Sequence, residues 1–195
     1  MSCSSCTILR PVKDSADDGC QKLTIKVDDI RLGCPEDYTE TVAENESTGC
    51  ANGYVSNIVL ADPVAAPEPL VCIELTNPED VDETNEFTFD KDTDEADDQY
   101  NLTPVGIKVL NPDHQCVLDS LKGQEVSIYY KLENKSGDYV WRRFIGCLTG
   151  VTGGLINGYE LTFNADNPNE NERPLFVNLG SEALTTAAID AITQF

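Results

Sequence analysis

Residues 125–133 (Glu-Val-Ser-Ile-Tyr-Tyr-Lys-Leu-Glu) and 139–147 (Tyr-Val-Trp-Arg-Arg-Phe-Ile-Gly-Cys) are two β-rich runs separated by Asn134-Lys135-Ser136-Gly137-Asp138. Successive strand side chains point to opposite faces, so Val126, Ile128, Tyr130 and Leu132 share one face of the first run. Tyr139, Trp141, Arg143, Ile145 and Cys147 share one side of the second. Two such runs joined by a five-residue, glycine-containing link predict a β-hairpin. A lone hairpin is marginal in water and needs further strands or a helix against it. This hairpin therefore commits the chain to a sheet.

Further strand signals fit that commitment. Leu23, Ile25 and Val27 alternate with polar residues, 55–60 and 70–75 are short β-rich runs, and 175–179 is a last one. Residues 155–163 contain Asn157-Gly158 and then Tyr159, Leu161 and Phe163 at period two. The three prolines of Asp-Pro-Val-Ala-Ala-Pro-Glu-Pro (62–69) predict a semi-rigid extended connector. Residues 35–53 are polar and turn-rich and read as a long loop. Two helices are predicted. Asp113 caps a short one that ends at Lys122 before Gly123, and Ser181 caps a second over 182–195 with Leu184, Ala188, Ala191 and Phe195 on one face. No internal repeat is visible. A chain of 195 residues with these signals reads as one mainly β domain over 1–195, with long loops or an acidic insertion within 35–100.

Charge narrows the function. The 35 acids outnumber the 13 Lys and Arg residues, for a net charge of −22. Binding to nucleic-acid phosphates rests on cations that displace counterions, so this chain is a poor ligand for DNA or RNA. An anionic membrane surface is disfavoured for the same reason. Eleven acids lie in residues 79–98 against one base, Lys91. Such a run repels itself and reads as a solvated segment. Phe87 and Phe89 interrupt it with strand-like alternation, which suggests a hairpin arm that orders on a partner. The first residues lack a signal peptide's apolar stretch, and no run of 18 apolar residues occurs. The expectation is a soluble protein folded in a cytoplasm.

No residue set carries a recognisable chemistry. Cys3 and Cys6 form a Cys-x-x-Cys, but Cys20, Cys34, Cys50, Cys72, Cys116 and Cys147 follow singly, without the second ligand pair of a structural zinc site. Reduced thiols are expected. His114 is the only histidine, and no nucleophile motif accompanies it. Asp90, Asp92 and Asp94 resemble the start of a calcium loop, but Glu95 and Asn101 stand where glycine and glutamate are required. The wider acidic run (Asp90, Asp92, Asp94, Glu95, Asp97 and Asp98) still offers clustered carboxylates to a hard cation. The glycines of 149–154 precede no Lys-Ser/Thr pair, so they form no phosphate loop. Arg142 and Arg143 point to opposite faces of their strand and make no basic patch. The expectation is a protein with no catalytic residues, no cofactor and no metal site.

The order of elements over 112–180 carries a resemblance. A short helix ends in Leu-Lys-Gly, a strand Glu-Val-Ser-Ile-Tyr-Tyr leads to a turn with Ser-Gly-Asp, and Tyr-Val-Trp-Arg-Arg-Phe-Ile-Gly-Cys returns. A Gly/Thr-rich link, Ile-Asn-Gly-Tyr-Glu-Leu-Thr-Phe-Asn-Ala and Arg-Pro-Leu-Phe-Val follow. This resembles the tail tube (major tail) proteins of long-tailed bacteriophages, especially those infecting Bacteroidetes. The resemblance implies an antiparallel β-sandwich, barrel-forming between copies, with a short flanking helix and a C-terminal helix. It implies homohexameric rings stacked into a virion tube, with other tail or neck proteins as partners and DNA as non-sticking cargo. Assembly in the bacterial host cytoplasm and no catalytic residue are implied as well. Edge strands and the Phe87/Phe89 arm are the expected assembly contacts. A neck, tail-terminator or capsid-decoration protein and an acidic, calcium-dependent binding module are the alternative readings.

Overall fold

The alternating hairpin forms where its sequence pattern puts it. In the computed structural model, which describes residues 26–43, 53–61, 70–73, 81–90, 95–104, 119–133, 139–154, 158–169 and 172–194, it consists of the seventh and eighth strands in chain order. The strands are β1 (Lys26–Gly33), β2 (Tyr38–Ala43), β3 (Tyr54–Leu60), β4 (Leu70–Ile73), β5 (Val81–Asp90) and β6 (Glu95–Pro104). They continue with β7 (Glu125–Glu133), β8 (Tyr139–Gly154), β9 (Gly158–Asp166), β10 (Leu175–Val177) and β11 (Thr193–Gln194). One α-helix, α1 (Glu182–Ala191), precedes β11.

All eleven strands belong to one sheet in the order β11–β4–β1–β7–β8–β10–β3–β2, with a branch that runs β8–β9–β6–β5. Most pairs are antiparallel; β10–β3 and β11–β4 are parallel. Among the described residues the sheet stays open and closes no barrel. The fold is therefore mainly β, with a C-terminal helix.

The branch point is a property of β8. One edge of this sixteen-residue strand pairs with β7 over 139–147. The other edge has two partners in succession: β10 at 141–143 and β9 at 147–154. Thr149 is an extra residue in the β8–β9 ladder, and its hydroxyl donates to the Thr162 carbonyl at 3.2 Å. Such a bulge sharpens the local twist and lets one strand turn from one neighbour to the next. The Gly/Thr-rich stretch expected to be a link is thus the second half of a strand.

From this fork the two branches cover opposite faces of the β1–β7–β8 layer. On one face Ile30, Leu32, Val126, Ile128, Tyr130, Leu132, Phe144 and Leu148 pack against Leu102 of β6 and Leu161 and Phe163 of β9. On the other, Tyr129 and Trp141 pack against Tyr38, Val55 and Ile58 of the β2–β3 pair, Leu175 and Val177 of β10, and Ile189 and Ile192. Residues 126–130 are consequently all buried, since both side-chain sets of β7 meet a core. Each fully buried side chain of this size contributes about 1.5–3 kcal/mol, so the central hairpin dominates the apolar stabilisation.

Several expectations shift. Residues 35–53 contain β2 rather than loop alone, and the hairpin arm expected at Phe87 and Phe89 extends through much of the acidic run as the paired strands β5 and β6. Ser181 caps α1 by accepting from the Leu184 amide at 3.3 Å, as expected. The buried face of the helix is Thr185 and Ile189, however, and Leu184 is 59% exposed. The helix stops early because Thr193–Gln194 pairs with β4. Residues 119–121 are helical and Leu121 is buried, while the rest of the helix expected over 113–122 lies outside the described residues.

Candidate functional site

The feature with the least explained surface is the β5–β6 hairpin. Its ten residue pairs run from Val81↔Pro104 to Asp90↔Glu95. Residues 99–102 of β6 pair with the body, through Asp166 to Phe163 of β9. Residues 83–88 of β5 are exposed, and Phe87 is 62% exposed. β5 pairs with β6 alone among the described strands, so its outer edge offers unpaired backbone groups.

Of the residues singled out in the sequence, Phe87 stands on this hairpin as an exposed aromatic. Phe89, Asp90 and Glu95 have their backbone in the paired strands, and their side chains lie outside the described residues. Asp92, Asp94 and His114 lie outside the described residues as well. Asp97 and Asp98 do not stand free. Asn167 donates to Asp97 Oδ1 at 3.0 Å, and Arg173 lies 3.2 Å from Asp98 Oδ2. The Asp98 amide donates to Asn167 Oδ1 at 2.9 Å, and its carbonyl accepts from the Asn167 amide at 2.7 Å. These two acids therefore fasten the hairpin to the segment after β9. Among the described residues, no group of three or more His, Cys, Asp or Glu side chains is arranged to hold a metal ion. Cys147 is an exposed thiol and Cys34 a half-buried one.

Two clusters that the sequence reading did not find hold the outer strands in place. Tyr130 and Arg142 face each other across β7 and β8. Arg142 Nη2 donates to Glu83 Oε1 at 2.7 Å, and the Tyr130 hydroxyl donates to Glu83 Oε2. The Arg142 guanidinium also lies 4.8 Å from the centre of the Phe176 ring, a cation–π distance. One residue along, Tyr129 faces Arg143, and this pair serves the other side of the layer. The Tyr129 hydroxyl donates to Glu40 Oε1, and Arg143 Nε lies 3.1 Å from Glu40 Oε2. Arg143 is fully buried, and its Nη1 and Nη2 have no hydrogen-bond partner. Burial, reinforced by the charge of Glu40, pushes the Tyr129 phenol far above the usual tyrosine range. Burial and Glu83 do the same to Tyr130.

Half of this arrangement was readable beforehand. Tyr-Tyr and Arg-Arg in a hairpin with a 134–138 link must face each other in register, one pair to each side. The glutamates were not readable, because Glu40 and Glu83 arrive from 89 and 47 residues before their tyrosines. Among the described residues, no helix is long and apolar enough to cross a membrane. The chain matches no protein-family model, no curated protein and no solved structure.

Proposed function

We propose that this chain is a structural virion protein of the phage tail tube kind, which assembles with copies of itself into stacked rings around a passage for DNA. The observation that carries the reading is the β5–β6 hairpin, with its unpaired outer edge and the exposed Phe87. An open edge of this kind pairs readily with another chain. A sheet that stays open within one chain is also what a barrel shared between copies requires. On this reading the barrel belongs to the assembly rather than to the single subunit.

The charge suits the cargo. Duplex DNA carries one negative charge per ~1.7 Å of axis, and a lumen of lysines would hold it at every ring. Carboxylates repel it over a range limited to ~8 Å at physiological salt, enough to keep it from adhering. The acids of β5 also guard the free edge against uncontrolled pairing, since like charges side by side oppose indiscriminate strand addition.

Negative-stain electron microscopy of the purified chain, concentrated in moderate salt, tests this proposal. Hollow rings that stack into tubes support it. Closed rings that never stack favour a neck or terminator ring. A protein that remains monomeric at every concentration overturns it.

A further inference from the structure

The two Tyr–Glu–Arg clusters look alike on paper but sit in different surroundings. Around Glu40, Arg143 is 0% exposed and Glu40 15%. The β2–β3 pair that carries Glu40 has other holds on the body. Val55 and Ile58 are buried, and β3 pairs in parallel with β10. The Asn178 amide adds a bond to the Val55 carbonyl at 2.9 Å. Glu40 is therefore one support among several. Around Glu83 the balance is reversed. Arg142 is 20% exposed and Glu83 27%, and the whole described stretch 83–88 is exposed. No described side chain of β5 enters either core cluster. Apart from its pairing with β6, Glu83 is the described contact that ties β5 to the rest of the molecule.

We propose that Glu83, gripped by Arg142 and Tyr130, is a clasp that holds β5 down on the sheet, and that loss of its charge loosens β5 while the rest of the protein stays folded. Neutralising Glu83 leaves Arg142 partly solvated rather than fully enclosed, although its Nε is buried without a hydrogen-bond partner. Arg142 keeps its place beside the Phe176 ring and has access to water. β6 stays held by its pairing with β9 at 99–102 and by the contacts of Asp97 and Asp98 with Asn167 and Arg173. β5 is then an edge strand held by one neighbour, and such a strand opens locally far more readily than the core. The clasp thus sets whether β5 is a docked strand or an arm able to reach away from its own subunit. This inference does not rest on the tail tube reading, because it concerns the single chain.

Hydrogen exchange followed by mass spectrometry on the full chain tests it, with Glu83→Gln and Tyr130→Phe beside the parent protein. In Glu83→Gln, peptides from 81–90 should exchange about tenfold faster or more, while peptides from 26–33 and 125–133 keep the parent rate. Tyr130→Phe, which removes one of the two grips, should accelerate the same hairpin peptides by a smaller factor. Hairpin exchange in Glu83→Gln within about twofold of the parent overturns the proposal. Equal acceleration across 26–33, 81–90 and 125–133 overturns it too, as does failure of Glu83→Gln to fold, because a clasp confined to the hairpin cannot be needed by the whole.

Discussion

Tyr129 lies directly opposite Arg143 across the β7–β8 pair, and both side chains end on the carboxylate of Glu40. One position along, Tyr130 and Arg142 repeat the arrangement on the opposite face with Glu83. Consecutive strand residues alternate in direction, so a Tyr-Tyr opposite an Arg-Arg delivers one pair to each side of the layer. The same chemistry thus receives the outermost strand of each branch.

Both tyrosines have a phenol raised above its ordinary value of 10.0. A group raised on folding contributes its full stability below the unfolded value and loses it as pH climbs toward the folded one. Absorbance titration at alkaline pH should therefore show Tyr129 and Tyr130 ionising only together with unfolding. Tyr129→Phe should move the alkaline unfolding midpoint to higher pH. Smooth ionisation of every tyrosine without loss of near-UV circular dichroism contradicts this.

Replacing Glu40 by Ala leaves the Arg143 guanidinium buried with no counter-charge. Breaking one partner of a buried pair costs about 3–5 kcal/mol, and urea unfolding should show a loss of that size. Adding Arg143→Met should restore a large part of it, since a buried pair exchanged for apolar side chains is often nearly neutral. A double variant no more stable than the single one would mean that Arg143 does not carry the cost.

Gly153 has φ +111°, and a Cβ there would run into the Gly158 carbonyl, whereas a Cβ at Gly154 meets nothing within 4 Å. Gly153→Ala should therefore destabilise by about 1–3 kcal/mol, while Gly154→Ala stays within about 1 kcal/mol of the parent. Thermal melts of the two variants side by side decide between this and a tolerant turn.

Phe87→Asp changes a side chain that is 62% exposed, so the melting temperature of the single chain should hardly move. Sedimentation and electron microscopy should nevertheless show loss of higher assemblies if the hairpin makes contacts between copies. Tubes that form as before would remove Phe87 from the assembly surface.

Much of the central layer was legible because its signal is local. β7 spans the residues whose alternation predicted it, and β3 and β10 fall within a few residues of their runs. The misses share a physical cause. β2 reads Tyr-Thr-Glu-Thr-Val-Ala, and its inward Glu40 suggests a solvated loop until Arg143, far along the chain, is known to receive it. β5 and β6 were foreseen only as a hairpin arm around Phe87 and Phe89, and their full length was hidden by their acids, although Asn167 and Arg173 take up Asp97 and Asp98. The outward Leu184 misled the reading of α1, because helical spacing alone does not tell which face the sheet will cover. Charge that is satisfied by a distant partner cannot be told from charge that is left to water.

The forked strand has a consequence for how the molecule is made. The outer hairpins β2–β3 and β5–β6 leave the ribosome before the strands that join them to β8, namely β10 and β9. Neither hairpin has its place on the sheet until those strands have emerged, and pairings so distant in sequence form slowly. During that interval the two ribbons wait with open edges, when a nascent chain is most exposed to wrong partners. The acids on β5 and β6 would then act first as a guard during birth, before any part they play in the folded molecule.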